Sequence, residues 1–132
     1  MGAKEKAAAL HADGFNCAQS VLGALGDYTG LDEKTALAIA GGFGGGVCCG
    51  ELCGAVSGAV MALGLVRPHD TAGDAESRAA VRRLTGEFTK NFRETFGCLR
   101  CIDLKRAGQP CPRLIEYAAG QAETMISAIN KE

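Results

Sequence analysis

Seven cysteines are the residues of this 132-residue chain best suited to chemistry. Four of them, Cys17, Cys53, Cys101 and Cys111, share one predicted setting, at or within about one turn of a helix start. Cys17 follows Asn16 at the head of the second helix, and Cys53 opens the apolar stretch Gly54-Ala55-Val56-Ser57-Gly58. Cys101 stands just before Ile102-Asp103-Leu104, and Cys111 directly precedes Pro112. A helix N-terminus presents unpaired N–H groups and the positive end of the helix dipole. The placement therefore predicts thiols biased towards thiolate, below the free-cysteine pKa of about 8.5. Four thiolates brought together repel one another unless a cation neutralises them, so the pattern points to a metal.

Glycine supports the same reading. The chain holds 19 glycines, about twice the usual share, and Gly44, Gly45, Gly46, Gly50 and Gly54 cluster just ahead of and beside Cys53. Without Cβ atoms these positions let backbone approach a cofactor closely. An iron–sulfur cluster carries negative charge on its sulfurs, and backbone N–H groups tune its potential. Phosphate is the rival ligand for such a loop, but no Gly-Lys-Ser/Thr ending follows and no strand precedes it. Gly54 and Gly58, four residues apart, read as close helix packing.

Asn16-Cys17-Ala18-Gln19, Gly42-Phe43-Gly44-Gly45-Gly46, Gly50-Glu51-Leu52-Cys53-Gly54-Ala55-Val56-Ser57-Gly58 and the late pair Cys101 and Cys111 resemble the C_GCAxxG_C_C family of small redox-active proteins. The Cys-Gly-Ala-x-x-Gly element at Cys53 to Gly58 is the most specific part, and the resemblance spans nearly the whole chain. A related domain occurs in split-Soret cytochrome c, where a [2Fe–2S] cluster accompanies haem. The resemblance implies a similar cluster here, held by Cys17, Cys53, Cys101 and Cys111, with [4Fe–4S] using the same four ligands. Haem does not carry over, because no Cys-x-x-Cys-His sequence is present. The chain departs from the family pattern by adding Cys48, Cys49 and Cys98, which leaves two substitutions open: Cys98 for Cys101, or Cys49 joining Cys53.

The expected activity is that of a one-electron carrier or redox subunit rather than a stand-alone catalyst, with a redox partner protein as its counterpart. Two alternatives belong to other classes. Cys98-Leu99-Arg100-Cys101 is a Cys-x-x-Cys that cycles between dithiol and disulfide without metal, although the βαβ setting of thioredoxin-like proteins is missing. A four-cysteine zinc site is the structural alternative, disfavoured because zinc ligands usually come as close pairs and Cys17 and Cys53 stand alone.

The elements that must position these thiols are helical almost throughout. Ala18, Val21, Leu22 and Leu25 form one stripe after a Gly14-Phe15-Asn16 turn. Asp32 caps a predicted helix from Glu33 to Ala40, which the Gly41 to Gly46 run breaks. A glycine-interrupted helix is expected from Gly50 to Leu65, ending ahead of Pro68. Asp74 caps a long helix to Phe96, burying Val81, Leu84, Phe88, Phe92 and Phe96 and leaving Arg82, Arg83, Lys90, Arg93 and Glu94 in water. Residues 97–111 read as an irregular connection with one helical turn after Cys101. Pro112 begins a final helix whose buried positions are Ile115, Ala118, Ala122, Met125 and Ile129. The expectation is an all-α single domain, residues 1–132, of five to six helices with a glycine-rich loop.

Composition closes off other functions. Fourteen Lys and Arg against fifteen Asp and Glu give a net charge of −1, which lacks the basic balance for nucleic acid. Residues 67–113 carry ten basic and six acidic side chains, read as the solvated face of the long helix, with docking of an acidic redox partner as the sharper alternative. The longest apolar run, Leu52 to Val66, falls short of the ~20 residues that span a bilayer, and residues 1–9 lack the apolar core of a secretory signal. A soluble cytoplasmic protein is expected, in which an odd number of cysteines is not a disulfide framework. A modest apolar surplus leaves room for a homodimer. His11 and His69 read as surface histidines and Glu51 as a helix-start charge. Ser57 has no matching His and Asp.

Overall fold

In the computed structural model, which describes residues 1–131, side-chain caps set several of the helix starts. Asn16 opens α2 (Cys17–Ala24), Asp32 opens α4 (Glu33–Ala40), and Asp74 opens α6 (Ala75–Phe96), each side chain accepting from a backbone N–H three residues on. Pro112 lies in the first turn of α8 (Cys111–Asn130). The remaining helices are α1 (Ala3–Ala12), α3 (Gly26–Thr29), α5 (Gly54–Val66) and α7 (Cys101–Arg106). The fold is all-α, as expected. Six of the helices among the described residues run seven residues or more, matching the expected five to six; α7, the turn expected after Cys101, and the four-residue α3, too short for a periodicity argument to register, bring the count to eight.

The fifth helix starts at Gly54, not Gly50. Residues 51–53 pair with residues 99–101 through one antiparallel bridge, Leu52 opposite Arg100, which takes up the Glu51 carbonyl and the Cys53 N–H. α5 lies at the centre, with Gly54 to Ala59 all buried. It packs on α2, α6 and α8, while α1 packs on α2 and α8. Contact between α2 and α5 depends on Gly58, where a Cβ would lie 2.8 Å from the Ala18 carbonyl oxygen and 3.1 Å from Val21 Cβ. The close-packing role expected for Gly54 and Gly58 therefore holds.

Along α6 the buried stripe is Ala80, Leu84, Phe88, Phe92 and Phe96. Val81 is half-buried instead, because steps of four counted back from Phe96 arrive at position 80. Arg82, Arg83, Lys90, Arg93 and Glu94 are exposed as expected. Phe92 and Phe96 meet Tyr117 of α8 edge to face at 5.9 and 5.1 Å, the geometry that aromatic quadrupoles prefer. In α8, Ile115, Ala118, Ala122 and Met125 are buried, Ile126 is more deeply buried than the half-exposed Ile129, and Leu114 and Ala119 join the core. Among the described residues no helix is long and apolar enough to cross a membrane.

Candidate metal centre

Each of the four cysteines singled out by sequence begins a helix. Cys17 is the first residue of α2, Cys101 of α7 and Cys111 of α8, and Cys53 caps α5. Local chemistry fixes the first of these starts. Asn16 and Gln19 form a reciprocal capping box: the Gln19 N–H donates to Asn16 Oδ1 at 2.9 Å and the Asn16 N–H to Gln19 Oε1 at 3.0 Å. The same two side chains reach the neighbouring segment, Asn16 Nδ2 donating to the Gly41 carbonyl and Gln19 Nε2 to that of Leu37, both at 3.0 Å. Cys53 and Cys101 are fastened to each other's segments. The Cys53 N–H donates to the Leu99 carbonyl at 2.9 Å and the Cys101 N–H to the Glu51 carbonyl at 2.6 Å.

The thiols of Cys17, Cys53, Cys101 and Cys111 sit close enough to feel one another's charge. Cys17 is pushed up to about 12, first by burial, then by the charges of Cys111 and Cys53, with a Cys111 thiol contact and the Cys101 charge adding to it. Burial also raises Cys53; the N–H groups of Ala55 and Val56 pull it back, and Cys101 and Cys111 push it up again. Thiolate bias at helix starts was the expectation, and for Cys17 and Cys53 the balance runs the other way. The helix-start N–H groups do act on Cys53, but removal from water and mutual repulsion outweigh them. Cys17 and Cys53 are therefore held towards the neutral thiol in the metal-free chain, and a cation is what would let them ionise.

The surrounding backbone is pressed against two of these cysteine side chains at their Cβ atoms. At Gly46, whose φ is +65°, a Cβ would lie 2.7 Å from Cys101 Cβ, and at Gly54 one would lie 3.1 Å from Cys17 Cβ. Gly44 packs instead on the Asn16 side chain, Gly50 faces Ile102, and Gly45 borders open space. Only Gly46 and Gly54 of the five therefore abut the cysteine group. Among the described residues no three His, Cys, Asp or Glu side chains already surround one point as an ion requires. The donor chemistry nevertheless suits an iron–sulfur cluster, which spreads its ligands over more than one metal atom: four thiols, two of them buried, two glycines pressed close, and helix-start N–H groups that favour the Cys53 thiolate.

The other candidates lie outside this group. Cys48 and Cys49 are exposed, and Cys98 is half-buried against the core. Glu51 is not a helix-start charge. Its carboxylate receives Arg100 at 3.1 and 3.4 Å in a paired, solvent-exposed contact across the bridge, because residue 51 lies on the bridged segment before α5. The Ser57 hydroxyl donates to the Cys53 carbonyl at 3.5 Å. His11 ends α1, and His69 is exposed near Asp74. Two contributors were overlooked by sequence reasoning. Gln19 had a readable signal, since Asn followed three residues later by Gln is a capping box; Arg100, paired with a residue far away in the chain, had none.

No curated protein and no solved structure matches the chain. A family profile described as putative redox-active protein, C_GCAxxG_C_C, matches residues 15–125. That span contains all seven cysteines, the glycine loop and the helix starts just described, and the chain belongs to this family.

Proposed function

We propose that the protein is a cytoplasmic electron carrier or redox subunit whose Cys17, Cys53, Cys101 and Cys111 hold an iron–sulfur cluster, a [2Fe–2S] centre in the first instance. The observation that carries this reading is that four separate helix starts bring Cys53, Cys101 and Cys111 within charge range of the Cys17 thiol. When bound, such a cluster supplies a one-electron couple. The chain supplies the rest. Burial keeps water from Cys53 and Cys101, the Ala55 and Val56 N–H groups at the start of α5 favour the Cys53 thiolate, and Gly46 and Gly54 let backbone close around the site. Phe43, Val47 and Leu52, exposed by 37%, 47% and 40%, leave apolar side chains open to solvent in and just after the glycine loop, where a redox partner protein would dock.

Anaerobic purification followed by iron, acid-labile sulfide and zinc determination tests the proposal. Iron and sulfide in equal amounts with visible charge-transfer absorption is the expected result. Replacement of Cys17, Cys53, Cys101 or Cys111 by Ser is expected to abolish the absorption, whereas Cys98→Ser, Cys48→Ser and Cys49→Ser keep it. Iron and sulfide both absent would overturn the reading. Stoichiometric zinc without sulfide would replace it with a structural four-thiolate site.

A further inference from the structure

The glycine loop carries a second pair of thiols that the four-cysteine group does not use. From Gly45 to Cys48 the backbone runs left-handed at four consecutive residues, φ +62°, +65°, +59° and +57°. Glycine adopts that conformation freely, but Val47 and Cys48 do not, and a β-branched residue there is an outlier. Such strain persists only where the surroundings enforce it, and it concentrates at functional sites. The consequence of the turn is that Cys48 and Cys49 both reach solvent. Among the described residues the thiols' hydrogen bonds are weak S–H donations to loop carbonyls, Cys48 to Gly42 at 3.7 Å and Cys49 to Gly46 at 3.5 Å. The Arg100 guanidinium lies close enough to Cys49 to interact with its charge, while the neighbouring Glu51 carboxylate is already engaged by Arg100.

We propose that Cys48 and Cys49 form a surface dithiol site for a thiophilic ion of low coordination number, trivalent arsenic or Cu(I), separate from the Cys17, Cys53, Cys101 and Cys111 group. A disulfide is the wrong product for this pair. Consecutive Cα atoms are about 3.8 Å apart, inside the roughly 4.4 Å lower limit for an unstrained bridge. An inserted ion relieves that limit, because each metal–sulfur bond adds about 2.3 Å to the ring. Two soft sulfurs flanked by hard carbonyl oxygens select a soft ion that needs few ligands. With a monosubstituted arsenoxide two As–S bonds form and the As–O bond breaks, and the oxygen leaves as water with both thiol protons. Arsenic stays trivalent, so no oxidant or reductant is required. Cu(I) enters by displacing the thiol protons, also without electron transfer.

The test uses the anaerobically purified protein and two probes, phenylarsine oxide read by intact mass and peptide mapping, and Cu(I) supplied from a competing chelator. The expected result is a single phenylarsenic group bridging the Cys48–Cys49 peptide, or Cu(I) uptake reduced by one ion per chain when the pair is removed. The bridging arsenic adduct, or that one Cu(I) ion, is lost in Cys48→Ser and in Cys49→Ser and retained in Cys98→Ser, and the probe that binds identifies the ion. Both serine variants place a hydroxyl at an exposed position, and unchanged helical circular dichroism verifies that they fold. Iron and sulfide contents unchanged by these variants keep this result distinct from the fate of the four-cysteine reading. Equal uptake of both probes by the Cys48→Ser/Cys49→Ser double variant, or arsenic mapped to other cysteines alone, would overturn the proposal.

Discussion

Cys17 shows how a residue's neighbours decide its chemistry. Its thiol is held at about 12, against an ordinary 9.0, by burial and by three other cysteines. A raised pKa means that the folded chain prefers the proton. In metal-free protein the associated stability is fully present below pH 9 and is lost as pH climbs towards 12. The stability of the metal-free wild type relative to Cys17→Ser is therefore expected to fall steadily above about pH 9, as read from urea midpoints of both proteins. A gap that stays flat with pH would show that Cys17 is not titrating in this environment. The same preference means that cation binding must expel protons, since thiolate is the ligating form. Which residues matter was readable from type and position, because cysteine at a helix start is a local pattern. The direction of the Cys17 and Cys53 shifts was not, because burial and sulfur–sulfur proximity are created by distant parts of the chain.

Helices hold the sulfurs in place through backbone contact rather than bulky side chains. α2 and α5, which carry Cys17 and Cys53 at their first turns, meet at Gly54 and Gly58. Gly58→Ala sets a methyl against the Ala18 carbonyl, and the two helices must separate to admit it. Overpacking of this kind costs about 1–3 kcal/mol, and it displaces Cys17 from Cys53. The expected outcome is a lower thermal midpoint together with weaker cluster absorption, whereas Gly64→Ala, where a Cβ meets nothing within 4 Å, leaves both unchanged. Helix boundaries were legible wherever a cap or a proline marks them, as at Asn16, Asp32, Asp74 and Pro112. The left-handed run from Gly45 to Cys48 was not, since Val47 and Cys48 have no propensity for that conformation and adopt it only under tertiary constraint. The single bridge between residues 52 and 100 was equally invisible, being too short to leave an alternating pattern.

For the molecule as a whole, the largest side chains gather where α6 meets α8. Phe92 is fully buried and contacts Phe88, Phe96 and Tyr117. Phe92→Ala is expected to cost about 3–5 kcal/mol and to lower the melting temperature by on the order of 10 °C, measurable by circular dichroism with and without iron. This aromatic cluster was legible as an i, i+4 stripe, and so was the all-helical class; the way the chain ends meet was not. The Ala3 N–H and the Tyr28 hydroxyl both donate to Glu123, at 3.0 and 2.9 Å, pinning the first helix to the last. The bridge that fastens Glu51–Cys53 to Leu99–Cys101 bears on the order of events in biogenesis. Before it closes, Cys17 and Cys53 are far from any late cysteine, and the nearest sulfur neighbours along the chain are Cys48 with Cys49 and Cys98 with Cys101. If the proposed cluster is the cofactor, a nascent polypeptide that met metal too early would be captured by those local pairs, so maturation would require the polypeptide to fold first and the inorganic component to arrive second.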